Sequence, residues 1–455
     1  MNYPIWDVPR LGGPLAIAIV AILHAYVAMF AVGGGPYLVL AERRARRTGN
    51  AELLAYVKGH SRFFLLLTTV FGAISGVGIW FTIGLVSPQT TSILIRTFVW
   101  GWAMEWVFFI AEIAAILLYV ASWDRADGRT HMLYGWAYAV SAFMSLVIIN
   151  GILSFMLTPG RWLVTGNFWD GFFNPTYWPA LLGRSAAAAA LAGLWGLLTA
   201  VRIKSPALRD EAVRFAAWWL VPAMVALPLS TLWYLAVVPE GPRMLVLGGA
   251  AAVSIMFLLS LAVSFVIFAV VVLGPLKSPQ VASTALAATL LAAGLIATGG
   301  TEWVREGIRK PYTIYGYLYS NGVFVWQQQR LSEQGILASA RFAVPGVREA
   351  PAATGRTAGA ELALARGQEV FRLQCSSCHV LGGYNDIRPL VKGWTEAYID
   401  FQLSHLNMLK AYMPPFFGTA EERRALARWL ATLNPPAGSS QAEALRQPLP
   451  GEPVS

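Results

Sequence analysis

Residues Gly13–Val32 read GPLAIAIVAILHAYVAMFAV, a run without Asp, Glu, Lys or Arg and with one histidine, His24, near its middle. About 20 apolar residues suffice for a helix to cross a bilayer. Seven more long apolar runs follow, near Phe63–Val86, Leu94–Ser122, Met132–Leu157, Leu181–Val201, Ala216–Val237, Leu245–Val272 and Val281–Ala297. The composition agrees with a membrane protein: 56% of the 455 residues are hydrophobic and 13% charged, against about 25% charged in soluble chains. Mean hydropathy is +0.54. The 18 Trp and 16 Tyr fit a chain with two membrane interfaces. The net charge of +10 lies mostly in loops between apolar runs, which argues against nucleic acid as a partner. Met1–Arg10 lacks the basic start of a cleavable signal.

Loop charges set an orientation. The first, third, fifth and seventh loops hold Arg43, Arg44, Arg46, Arg47, Lys58, Arg62, Arg125, Arg129, Arg202, Lys204, Arg209, Arg214 and Lys277. The other side holds Arg10, Arg96, Arg161, Arg184 and Arg243. Basic loops stay inside, so thirteen against five predicts both termini on the outer, periplasmic side of a bacterial cytoplasmic membrane. The expected fold is all-α: a polytopic bundle of about eight spans in a membrane domain of residues 1–330, then a linker over 331–358, a small all-α domain over 359–433, and a disordered tail over 434–455. The aromatic loop Thr158–Ala180 reads as an interfacial belt.

The small domain contains Cys375-Ser376-Ser377-Cys378-His379, and the chain has no other cysteine. C-x-x-C-H attaches haem c through two thioethers, with the His ligating iron; a redox dithiol is the competing reading. Met413-Pro414-Pro415-Phe416 and an amphipathic helix, Ala420–Leu433, lie downstream. With Gly367 and Phe371 ahead of the motif, this arrangement resembles a class I cytochrome c. The resemblance implies Met413 as the sixth ligand, with Met408 and His405 as the competitors.

A charge at the centre of a membrane helix costs about 2.5–3.5 kcal/mol, so such groups are functional candidates by default. The first span holds His24. The third holds Glu105 and Glu112, seven residues apart and so on one helix face. Glu302 and Glu306 end the last span, followed by Arg309. His and carboxylates on three helices suit one or more non-covalent haems with spare carboxylates for protons; a structural buried His with interfacial carboxylates is the alternative. His60 and His131, at inner helix ends, read as interfacial, with low-spin haem ligation as the alternative.

These residues carry a second resemblance. His24, the third-span carboxylates on a helix ending Trp123-Asp124-Arg125, the Gly-rich stretch 72–78 and Glu306-Gly307-Ile308-Arg309-Lys310-Pro311-Tyr312 are similar to subunit I of the cytochrome bd terminal oxidases. The resemblance implies haem ligation by His24, Glu105 and Glu306, a role for Glu112 near the haems or in proton delivery, haems of b or d type, and a second membrane subunit. Several departures are visible. The third-span carboxylates are seven rather than eight apart. Only about Val238–Arg243 stands where the family has its quinol-binding loop. The fifth span lacks the His that ligates a low-spin haem, although Met256 matches that haem's Met, and the ninth span is missing. They imply a branch without the quinol loop, in which the fused haem c takes electrons from an outer donor such as a soluble cytochrome c and oxygen is reduced at buried haem. An electron-transfer subunit without oxygen chemistry and a haem-based gas sensor are the competing functions.

Overall fold

The computed structural model describes residues 3–348 and 356–434; the expected tail beyond 434 and the linker residues between the two stretches lie outside it. Eight helices are long and apolar enough to cross a membrane: α1 (Gly13–Thr48), α2 (Ala51–Val86), α3 (Val99–Ala121), α4 (Gly128–Phe155), α5 (Tyr177–Ala200), α6 (Pro206–Val237), α7 (Ala251–Leu276) and α8 (Thr284–Gly307). In lipid a helix satisfies every backbone N–H and C=O within one segment, which is why these apolar runs resolve as helices. Two strands, β1 (Tyr312–Ile314) and β2 (Leu318–Tyr319), form a short antiparallel hairpin. Three main helices follow: α9 (Arg356–Gln374), α10 (Glu396–Leu403) and α11 (Ala420–Thr432).

The chain forms two compact units, one of residues 18–81 and 92–309, the other of residues 1–17, 82–91 and 310–455. The first is the bundle. Its core holds Phe30, Tyr37, Phe64, Tyr119 and Leu220, all fully buried. Small residues set the closest approaches, as usual where lipid and side chains are equally apolar. A Cβ on Gly33 of α1 would fall 2.0 Å from the Ala188 carbonyl oxygen of α5, and one on Gly135 of α4 would meet Val39 and the Tyr119 ring. Within α2, residues Leu67–Gly72 form a π-helical turn, a feature common near functional sites. Residues 238–250, containing one short helix, join α6 to α7, so no long loop stands there.

The second unit is built around the C-x-x-C-H segment. Gly367 lets α9 cross α11 at backbone distance, since a Cβ there would sit 2.1 Å from the Ala425 carbonyl oxygen. Phe371 packs on Trp429 with ring centroids 5.0 Å apart. Thr419 and Glu422 close a capping box at the start of α11. Part of the expected linker differs from a solvated spacer. Ile336, Leu337, Ala340 and Ala343 are buried in the core of this second unit, and the Glu422 carboxylate accepts the N–H groups of Ile336 and Leu337 at 2.9 Å each. The apolar positions in this Ala-rich stretch give it a face to bury, which its composition conceals.

Candidate haem sites in the bundle and the C-terminal domain

The C-terminal site is one turn beyond α9. Cys375 N–H donates to Phe371 O at 2.8 Å and His379 N–H to Cys375 O at 2.8 Å, so both sulfurs and the imidazole lie within a single turn. Burial and the neighbouring Cys378 push the Cys375 thiol up to about 12. A redox dithiol needs a depressed thiol pKa, so this environment speaks against one. His379 is held below its usual range by burial, opposed by the Asn385 backbone; the neutral imidazole is the form that binds iron. Residues 7–12 support the segment: Ser376 Oγ donates to Asp7 Oδ1 at 3.1 Å, and Tyr384 N–H donates to Arg10 O at 2.7 Å. A Cβ on Gly383 would fall 1.8 Å from that same carbonyl. Among the sixth-ligand candidates Met413 is half-buried, whereas Met408 is 78% exposed. His405 is also exposed and its Nδ1 is taken up by Ser404 and Phe401. The donor set of two thiols, an inward imidazole and a thioether fits a covalently held haem.

In the bundle, His24 on α1 faces α2. Its Nδ1 lies 3.1 Å from Ser75 Oγ, and that hydroxyl donates its one proton to Phe71 O at 2.7 Å, shared with Gly72 O at 3.1 Å. With the Ser75 proton on the Phe71 carbonyl its oxygen accepts, which places the His24 proton on Nδ1 and the electron pair on Nε2. Such an orienting bond is what fixes ring and tautomer in metal-binding histidines. Gly76 sits against the ring, where a Cβ would stand 3.2 Å from His24 Cε1. Gly76→Val is therefore expected to displace the ring and lower retention of non-covalent haem about tenfold, with covalent haem unchanged; haem extraction from the purified variant checks this.

Glu105 and Glu112 share a face of α3, as their spacing requires. Glu105 accepts from Ser145 Oγ of α4 at 3.1 Å, and Glu112 is within electrostatic reach of both Glu105 and Tyr138. At the end of α8, Glu302 pairs with Arg305 at 2.6 Å, and Glu306 pairs with Arg309, which also reaches Met156 Sδ at 3.1 Å. Arg184 donates to Asn150 and feels the charges of Arg305 and Glu302. Three guanidinium groups against two carboxylates leave an excess positive charge, suited to an anionic group such as a haem propionate. His24, Glu105 and Glu306 thus stand on three helices, each oriented by its own local partner. Met256, matched to a low-spin ligand, packs instead against an apolar cluster with Tyr234, Phe257 and Trp303.

Sequence reading missed Ser75, Ser145 and Arg184 as partners, because each lies at least 34 residues from the group it touches. The sequence did not show that two histidines near helix ends are enclosed by protein: His60 and His131 are 2% and 0% exposed. His60 bonds Thr199 Oγ1 at 2.9 Å, and His131 bonds Glu42 at 2.8 Å. The positions lie near helix ends, yet residues of other helices, Thr199 and Glu42, close on them.

Residues 15–237 match the family "Cytochrome bd terminal oxidase subunit I", and residues 362–430 match "Cytochrome C oxidase, cbb3-type, subunit III". No curated protein matches the sequence significantly. The solved bd oxidase from Geobacillus thermodenitrificans is similar in fold, with a TM-score of 0.60 at 16% identity, over 68% of this chain and 89% of that one. The chain joins a cytochrome bd subunit I domain, in its N-terminal part, to a C-terminal cytochrome c domain of the cbb3 subunit III type.

Proposed function

We propose that this chain is the haem-bearing membrane subunit of a bd-like oxidase that takes its electrons through its own C-terminal haem c. The observation that carries the reading is His24: an intramembrane imidazole whose Nδ1 is held by Ser75 Oγ at 3.1 Å, which leaves Nε2 for iron. The bound haems would supply one-electron transfer and a site where oxygen is reduced to water. Cys375 and Cys378 would hold haem c covalently, and His379 and Met413 would ligate its iron. His24, Glu105 and Glu306 would hold non-covalent haem of b or d type, and Arg309 would neutralise Glu306 or a propionate. Glu112, next to Glu105 along α3, relays protons. The short 238–250 connection supports a donor other than quinol. That donor is a soluble periplasmic cytochrome c, reached because the loop charges put the C-terminal domain outside. A second membrane subunit of the bd subunit II type completes the complex.

A pyridine haemochrome assay with redox and CO difference spectra tests this. The expected result is haem beyond one c-type equivalent, a CO-responsive high-spin centre, and oxygen uptake on addition of reduced cytochrome c. Finding haem c alone overturns the proposal; CO-silent, six-coordinate centres would make the chain an electron relay instead.

A further inference from the structure

One buried ionisable cluster has no part in the sites above. Glu42 of α1, Tyr119 of α3 and His131 of α4 are each 0% exposed. His131 Nε2 lies 2.9 Å from the Tyr119 carbonyl oxygen, which can only accept, so Nε2 carries a proton. His131 Nδ1 lies 2.8 Å from Glu42 Oε1. One further proton lies on that line, held as imidazolium with carboxylate or as imidazole with carboxylic acid, and no heavy atom need move between the two. Tyr119 Oη donates to Glu42 Oε2 at 2.7 Å. Arg46 Nε donates to Glu42 Oε1 at 2.6 Å, and its side chain, 30% exposed, reaches the end of the bundle that carries the basic loops. Lys58 and Asp124 form an exposed pair at 2.6 Å at that same end.

The register connects this cluster to Glu112. Along α3, Tyr119, Glu112 and Glu105 are spaced by seven. Along antiparallel α4, His131, Tyr138 and Ser145 are spaced by seven as well. Seven residues come within about 20° of two full turns, so the six residues line one seam in pairs: His131 with Tyr119, Tyr138 with Glu112, Ser145 with Glu105. A buried ionic cluster is a poor stabiliser compared with apolar packing, whereas ionisable groups inside a membrane typically mark proton or ion routes.

We propose that Glu42, His131 and Tyr119 form a proton-uptake station at the basic-loop end of the α3/α4 seam, supplying Glu112. This rests on the reading that protons are consumed at the buried site. The pair takes one proton from water beside Arg46 and passes one on through the Tyr119 hydroxyl; no electron moves and the station returns to its starting charge. The rise from Tyr119 to Glu112, about 10 Å, is the span of two or three hydrogen-bonded waters, with the Tyr138 ring in the same interval.

Glu42→Gln keeps the shape; its single carbonyl oxygen can still accept from Arg46 at the Oε1 position, with the amide NH2 turned to the Tyr119 hydroxyl oxygen. In the full-length protein it is expected to slow oxygen turnover about tenfold or more and to raise the solvent deuterium isotope effect, with haem content and CO spectrum as in the parent. Tyr119→Phe, which leaves the Glu42–His131 pair intact, is expected to slow turnover in the same sense and serves if Glu42→Gln fails to accumulate. Parent turnover rate and isotope effect in both variants overturn the proposal. If the parent consumes no oxygen, the oxidase reading fails on its own. The station is then tested by proton uptake into sealed vesicles on photochemical haem reduction, read with a pH dye on the basic-loop side. Uptake on that side that is lost in Glu42→Gln supports the station. Uptake unaffected by Glu42→Gln, uptake from the opposite side only, or no uptake at all overturns it.

Discussion

Replacing Cys375 and Cys378 together by Ser is expected to remove all haem that survives denaturation and to lower donor-driven electron entry by about 10²-fold or more, while extractable non-covalent haem persists. Both thiols and His379 occupy the single turn after α9, so losing the thioethers leaves only axial contacts to hold the group. The Cys375 thiol is half-buried and pushed up to about 12 by desolvation and the neighbouring Cys378, an environment unlike the depressed thiol of a dithiol redox site. The substitution should also loosen the domain. Small domains bury too little surface to be robust alone, and this core already draws Ile336, Leu337, Ala340 and Ala343 from outside the helices that flank the motif. Limited proteolysis should therefore cut the variant within 331–344 much faster than the parent, whereas the bundle should stay intact. A covalent haem band retained on a denaturing gel would show that these cysteines do not carry it.

The parts of this molecule that were legible in sequence are those in which one segment carries its own signal. Eight apolar runs became eight spanning helices because lipid leaves the backbone no alternative. The seven-residue spacing placed Glu105 and Glu112 on one face because the helix period is fixed. C-x-x-C-H closed into one turn because the motif is local. What stayed hidden depends on partners far along the chain. His24 was visible as an intramembrane imidazole, but the hydroxyl that holds its Nδ1 is that of Ser75, 51 residues on. His131 looked interfacial because its position near the start of α4 suggested water, while its actual neighbours are Glu42, 89 residues before it, and the backbone of Tyr119. The stretch 336–343 looked like a spacer since Ala and Gly dominate its surroundings; its four buried side chains are apolar only in aggregate, and Glu422 caps its backbone from 85 residues away. Pairings of this kind follow from how helices pack, which no single segment encodes.

His24→Ala is expected to abolish one non-covalent haem equivalent together with the CO-responsive band, and with it oxygen uptake, while covalent haem per chain is unchanged. With the Ser75 proton on the Phe71 carbonyl at 2.7 Å, the 3.1 Å contact with His24 places the imidazole proton on Nδ1 and the electron pair on Nε2. On the proposed ligation, removing the ring deletes that ligand outright. Removing only its orientation should cost less: Ser75→Ala is expected to weaken haem retention by about 10- to 100-fold, the usual scale for an orienting partner of a metal ligand, without eliminating it. This graded pair separates ligation from a structural role. A His24 that merely packs would, on truncation, lower thermal stability and reduce both haem types together through misfolding, and Ser75→Ala would then have little effect on haem. Selective loss of the non-covalent haem, complete in His24→Ala and partial in Ser75→Ala, is the pattern that only a ligand and its orienting hydroxyl produce.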